Sequence, residues 1–363
     1  MKRVVVDGAG GFVGRHVALT LAELGYPVRA TDREGTSMPV HPRIEAVHGD
    51  LARMDLGALL AGAPLVVHVA GLFDLAAPER ELRAANVELP LRVAEAALAA
   101  GVDRFVHVSS VTVYGRPARM PADESTPARP ESAYERTKHE GEQALLTLAR
   151  DRKLPLVVLR PSGIYGPHGR YGTAVLAASM ALAAATGRGH RSLRPTARMT
   201  HVHVGDVARA CAAVLDPERC SEDRVVGRAF NVADETPVAW SELCASMEGW
   251  MGLPTLRPLR LTPFVARGLS LMGRIAPARL ARTNESIERR WSELVRAEGL
   301  VPALRPRIDA HAYDYFFSDH VYDTTALRSL GWRAEHRSVI TGMHSTLDWY
   351  VRERWLPRVG EWR

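Results

Sequence analysis

The sequence predicts an α/β fold: a Rossmann-type, doubly wound parallel sheet with a smaller, irregular C-terminal substrate domain. Three observations predict it. Short apolar runs alternate with helical periodicity, a glycine-rich turn joins the first run to the first helix, and the alternation loosens from about Gly166. Strands that alternate with helices need crossover connections, which makes the sheet parallel and covers both of its faces.

Val4-Val5-Val6 reads as a buried strand that ends in the glycine-rich stretch Asp7 to Gly14. Arg15 to Leu24 carries apolar residues at helical spacing, and Gly25 closes it. Pro27 to Thr31 is a second strand ending at Asp32; Leu65 to Val69, Phe105 to Val108 and Leu156 to Leu159 are further strands, with a helix over Leu89 to Ala100. Val202 to Val204 and Phe230 to Val232 also read as strands. The expected layout is a dinucleotide-binding domain over 1–165, strands from about 200–235 returning to it, and a substrate-binding region over 166–199 and 236–363.

Length and composition narrow the class. The 363 residues are 46% hydrophobic and 24% charged, a globular balance that argues against disorder or a fibrous repeat. A net charge of +6 is too small and scattered to point to nucleic acid. Cys211, Cys220 and Cys244 lack the spacing of a disulfide framework or a zinc site, so a reducing, cytoplasmic location is expected. No apolar run reaches the roughly 18 residues of a membrane span. Of 47 basic residues only Lys2, Lys138 and Lys153 are lysines, so each is a candidate for a task arginine cannot perform.

Gly8, Gly11 and Gly14 form G-x-x-G-x-x-G between a strand and a helix, where glycine permits a tight turn and close approach to a pyrophosphate at the helix end. Asp32, 18 residues beyond Gly14, ends the next strand, where a carboxylate binds both ribose hydroxyls and repels a 2′-phosphate. NAD is therefore expected in preference to NADP, with Arg33 softening the preference.

Downstream, Ser109 and Ser110 follow a strand, and Tyr134 and Lys138 share a helix face at i and i+4. A phenol ionises near a pKa of about 10. An adjacent ammonium, helped by an oxidised nicotinamide, favours the phenolate. Tyr134 is then a candidate general base on an alcohol or acid toward a carbonyl, with Ser110 holding the same oxygen.

These residues resemble the extended short-chain dehydrogenase/reductase superfamily, which includes the NAD-dependent epimerases and dehydratases and the 3β-hydroxysteroid dehydrogenase-like enzymes. The resemblance covers most of residues 1–235. Gly8 to Gly14, with Phe12 and Val13, is similar to its glycine motif, although Asp7 stands where the family usually has threonine. His48-Gly49-Asp50-Leu51 resembles the adenine-holding segment, His68-Val69-Ala70-Gly71 the turn after the fourth strand, and Asn86 the asparagine that supports the active-site helix. Ser110, Tyr134 and Lys138 match the catalytic set. Leu159 to Pro167, with Pro161, Gly163 and Ile164, resembles the nicotinamide-side motif, and Val202 to Val207 and Phe230 to Val232 the later ones. The resemblance implies contacts to NAD from these residues, Ser109 included. It also implies a homodimer through the helices near Leu89 and Tyr134.

The substrate is less defined. Nucleotide-sugar members carry an arginine where this chain has Met199; Arg198, one residue earlier, faces the other way on an extended strand. Residues 253–281 mix arginines with apolar residues and hold no acidic residue, and Pro263 to Met272 is expected to be an apolar helix. That stretch is open to three readings: the lining of a greasy pocket, peripheral contact with an anionic membrane, or ordinary packing. Its likeness to the 3β-hydroxysteroid dehydrogenase-like branch favours a lipophilic alcohol or ketone. His201 and His203 alternate on a strand without an evident third ligand, and no metal is expected. The expected function is an NAD(P)-dependent oxidoreductase acting on a secondary alcohol. Its rivals are a nucleotide-sugar epimerase or dehydratase and a non-catalytic NAD(H)-sensing protein.

Overall fold

The computed structural model describes residues 1–75, 77–185, 196–253, 277–308 and 318–358. The expected helix over Pro263 to Met272 lies outside them, as does most of 253–281. The chain forms two compact units, one of residues 1–162, 204–233 and 322–335, the other of 163–203, 234–321 and 336–363.

Eleven described strands run in chain order. They begin with β1 (Val4–Asp7), β2 (Val28–Asp32), β3 (Ile44–His48), β4 (Leu65–His68), β5 (Arg104–Val108) and β6 (Leu156–Pro161). β7 (Gly163–Tyr165), β8 (Arg198–Met199), β9 (His201–His203), β10 (Arg228–Val232) and β11 (Val238–Ala239) follow. The helices that matter for the site are α1 (Phe12–Glu23), α2 (Leu56–Leu60), α3 (Glu79–Arg83), α4 (Leu89–Ala99) and α5 (Ala133–Arg152). After them come α6 (Thr173–Ala185) and α7 (Val204–Leu215).

The first unit is built on a seven-stranded sheet of order β10-β6-β5-β4-β1-β2-β3, and every pairing in it is parallel. Val5, Val66, Phe105 and Val158 point to one face and share a core with α2, α4 and α5. Alternation sends Val4, Val6, Leu65 and Val67 to the opposite face. There α1 and α7 pack against each other and the sheet. Burial on both faces explains why the central strands are unbroken apolar runs. β3, absent from the sequence reading, is the edge strand, and its half-exposed residues carry no such run. Because β1 lies between β2 and β4, the connections diverge there and leave a crevice at the carboxyl ends of the strands.

In the second unit β7 pairs with β9 and β8 with β11, around a core that includes Tyr165, Met199, Trp240, Met343 and Tyr350. Two expectations need correction. Of the later strands expected to rejoin the main sheet, β10 does so, whereas β9 pairs with β7 instead. Residues 322–335, expected in the substrate region, belong to the first unit. They are held there by the Ala122–Tyr322 bridge and by the Glu335 amide, which donates to Asp206 at 2.7 Å. Among the described residues no helix is long and apolar enough to cross a membrane.

Candidate active site

The glycine loop folds as its spacing requires. Gly8 sits at φ +60°, in the left-handed region, and a Cβ there would lie 2.9 Å from the Ala70 nitrogen. A Cβ on Gly14 would lie 2.2 Å from the Gly8 oxygen, so α1 can start tight against the loop only with glycine at that position. The first turn of α1 carries no acidic side chain, which leaves its positive end to an anion. Asp32, at the end of β2, accepts from the Gly10 amide at 3.0 Å and from the Arg33 amide at 2.8 Å. A loop without room for side chains, an acid-free helix end and a carboxylate at the next strand end fit a dinucleotide.

Asp7 takes on more than threonine could. Its Oδ1 accepts from the amides of Val69 and Ala70, both at 2.8 Å, and its Oδ2 is 2.6 Å from His68 Nδ1. Asp7 and His68 are fully buried, and the imidazole stacks on His107 at 5.4 Å. One carboxylate thus ties the turn at Val69 and Ala70 to the end of β1. Asn86 holds the next residues, its Oδ1 accepting from the Leu72 amide and its Nδ2 donating to the Leu72 carbonyl, both at 3.0 Å. It lies in a π-helical turn, Ala84–Glu88, between α3 and α4. Gly141 of α5 lets that backbone come close, for a Cβ there would lie 2.0 Å from the Asn86 oxygen.

α5 opens on a capping box in which the Glu135 amide donates to Ser132 at 3.2 Å and the Ser132 amide to Glu135 at 3.0 Å. That start places Tyr134 in the first turn. Ser110 ends the loop after β5, and its Oγ accepts from the Thr112 amide at 3.2 Å and the Thr112 hydroxyl at 3.0 Å. The Ser110 hydroxyl is also close enough to the Tyr134 phenol to act on its pKa. Lys138 is buried, and its Nζ donates to the Val108 carbonyl at 3.1 Å. Phe73, half-exposed, meets the Tyr134 ring edge-on at 4.9 Å.

The electrostatics of the chain alone differ from the expected depressed phenol. Burial pushes Tyr134 above its ordinary value, with the Ser110 hydroxyl pulling the other way and the Glu135 charge adding to the rise. Burial likewise pulls Lys138 down to about 8, against the Glu142 charge. Desolvation outweighs the adjacency of the two groups. His107 is held well below the imidazole range by burial, then by Lys138 and His68.

The structure gathers most of the expected residues at the carboxyl ends of β1, β2, β4, β5 and β6: Gly8, Gly11, Phe12, Val13, Gly14, Asp32, Arg33, Val69, Ala70, Gly71, Ser109 and Pro161, with Asn86, Tyr134 and Lys138 on helices. Asp50 follows β3 and accepts from the Ala52 amide at 3.0 Å, while the side chain of Leu51 belongs to the core under α2 and α4. Gly163 and Ile164 belong to the second unit, in β7. Met199 is buried in that unit's core, and Arg198 is exposed, its amide donating to Asp319 at 2.8 Å. His201 is buried edge-on to Trp240 and pulled to about 4 by burial, and His203 stacks on His336 at 3.8 Å. Sequence reasoning missed Glu142, Arg160, Phe73 and the Asp7–His68 pair. The signal for Glu142 is its place four residues beyond Lys138.

The model of the NAD dependent epimerase/dehydratase family matches residues 4–233, and the chain belongs to that family. It is of the extended short-chain dehydrogenase/reductase type. The 3-beta-hydroxysteroid dehydrogenase of Mycolicibacterium neoaurum is 34% identical over 46% of this chain and 48% of its own, so the chain spans about half the length of that relative. The UDP-glucose 4-epimerase of Mycolicibacterium smegmatis is 30% identical over 69% of this chain and 83% of its own. The ceramide reductase of Caulobacter vibrioides is 29% identical over 98% and 96%. Among solved structures, gox2253 shares the fold, with a TM-score of 0.71 and 24% identity over 97% of this chain and 98% of its own.

Proposed function

We propose that the protein is an NAD-dependent oxidoreductase that interconverts a secondary alcohol and a ketone on a lipophilic, 3β-hydroxysteroid-like substrate. The observation that carries this reading is the buried Tyr134, beside Ser110 and one helical turn from a buried Lys138, at the strand ends that hold the glycine loop. Bound NAD supplies the hydride acceptor and a positive charge. Gly8 to Gly14 hold its pyrophosphate and Asp32 its adenosine ribose. Ser110 orients the substrate oxygen by hydrogen bond, and Tyr134 exchanges a proton with that oxygen at its Oη. With its phenol pushed up by burial, Tyr134 rests protonated, ready to donate toward a ketone. As base on an alcohol it depends on positive charge beside it, which Lys138 provides.

The lipophilic assignment is supported by three features: Phe73 against Tyr134, Met199 buried where sugar-nucleotide members carry arginine, and a ceramide reductase that aligns over nearly the whole chain. The epimerase identity over 69% of the chain favours a second reading, a nucleotide-sugar epimerase. We further propose a cytoplasmic homodimer through α4 and α5, in keeping with three buried free cysteines.

The test is NADH formation by purified protein given NAD and a panel of 3β-hydroxysteroids and other lipophilic secondary alcohols. The proposal expects turnover that Tyr134→Phe abolishes while NADH binding persists. Silence across the panel, with UDP-sugar epimerised and no net NADH, would replace it with the second reading.

A further inference from the structure

Three consecutive residues at the end of β5, Val108 to Ser110, each face one residue on a single face of α5. The Val108 carbonyl accepts from Lys138, the Ser110 hydroxyl acts on the Tyr134 phenol, and between them the Ser109 hydroxyl donates to Glu142 at 2.7 Å. Tyr134, Lys138 and Glu142 stand four residues apart, so all three lie on that face. Glu142 is fully buried.

Its carboxylate is shared with Arg160 of β6. Nε of that guanidinium lies 3.2 and 3.1 Å from the two carboxylate oxygens, and Nη2 also donates to Oε1. Arg160 Nη1 donates to the Tyr114 hydroxyl at 2.7 Å, which in turn donates to Asn231 at 2.8 Å. Behind these, the Asn231 amide donates to Glu124 at 2.8 Å. A buried carboxylate and guanidinium are tolerated only as such a satisfied pair.

We propose that Glu142 is a positioning residue for the reaction: divided between Ser109 and Arg160, its carboxylate locks the end of β5 to α5 and supplies the negative charge that offsets the Lys138 ammonium. The charged and titratable groups around Lys138 support this. On α5 they are Tyr134, which rests neutral, and Glu142; from β5 comes His107, held neutral by burial. Glu142 is thus the anion that raises the Lys138 proton affinity against burial. Arg160 takes up part of that charge, so Lys138 keeps its proton without being locked into an ion pair of its own.

The inference rests on the proposed catalytic role of Lys138, but its test does not pass through turnover. Because the chain has three lysines, protein labelled with 13C at the lysine ε-carbon gives three signals, and the one lost in Lys138→Arg is assigned. Titrated across the alkaline range, Lys138 is expected to show its midpoint near 8. Glu142→Gln lowers that midpoint by about one unit or more. Glu142→Asp, which keeps the charge, restores most of it. If Glu142→Gln does not fold, the pair Glu142→Gln with Arg160→Met, which leaves no lone buried charge, is titrated instead and shows a downward shift that is smaller, because the Arg160 cation leaves together with the anion. A Lys138 midpoint that stays within 0.2 of wild type (about 0.3 kcal/mol) in whichever variant folds overturns the inference, whatever the steroid panel shows. A silent panel with a shifted midpoint removes the proposed substrate and leaves the inference standing.

Discussion

Replacing Lys138 with methionine should make the protein more stable at neutral pH. The ammonium is buried, and desolvation lowers its pKa from 10.5 to about 8. At about 1.4 kcal/mol per unit, that depression of about 2.5 costs the folded state about 3 kcal/mol wherever Lys138 is charged. Methionine fills a similar volume without the charge. It forfeits the hydrogen bond to the Val108 carbonyl, a loss of about 1 kcal/mol. Glu142 is not left alone, because Arg160 still pairs with it. The net expectation is a gain of about 2 kcal/mol at pH 7. The sign has a pH signature. Between pH 8 and 10.5 the unfolded chain holds a proton on Lys138 that the folded chain has released, so wild-type stability gains with rising pH across that window. The variant lacks this contribution, so its advantage vanishes at about pH 10 and reverses above it, where the lost hydrogen bond of about 1 kcal/mol is all that remains. Urea denaturation of both proteins at several pH values from 7 to about 10 reads the difference directly. A variant less stable at pH 7, or an advantage independent of pH, would refute the desolvation argument.

Other sites give further expectations. Asp7→Ala strands the His68 Nδ1 and the amides of Val69 and Ala70, and a loss of about 3–5 kcal/mol should appear in thermal melts. Asp7→Asn, which keeps an acceptor for the two amides, should cost clearly less. Gly141→Ala drives a Cβ to 2.0 Å from the Asn86 oxygen, so α5 must shift, and NADH affinity measured by fluorescence should fall by roughly tenfold or more. Asp32→Ser removes the carboxylate beside Gly10, and the preference for NAD over NADP in competitive binding should narrow or reverse.

The parts of the site that were legible in the sequence are those whose chemistry is local. The glycine spacing, Asp32 at a strand end and the four-residue step from Tyr134 to Lys138 each fit within one turn, one strand or one helix face. Asp7 was visible as a departure from threonine, but its partner His68 lies 61 residues away and no periodicity joins them. Glu142 extends the same face by one more turn, yet spacing alone says nothing of Arg160, which reaches it from the next strand. β3 escaped because an edge strand needs no continuous apolar run, and 322–335 escaped because its ties to the first unit are a bridge and an amide contact rather than a motif.

The inverted pKa direction of Tyr134, with Lys138 itself pulled down by burial, shows the deeper limit. Adjacency on a helix can be counted from the sequence, but the dielectric around the pair is set by β5, β6 and the loop after β4 folding over it. A lysine next to a tyrosine lowers the phenol only if the lysine itself stays charged. In the proposed arrangement that condition falls to Glu142, whose carboxylate is held by Ser109 and Arg160. The proposed catalytic pair is, on this reading, a local motif whose working state depends on a non-local ion pair. The same Tyr and Lys spacing on a helix without Glu142 and Arg160 behind it would place the same atoms side by side with a weaker hold on the lysine proton.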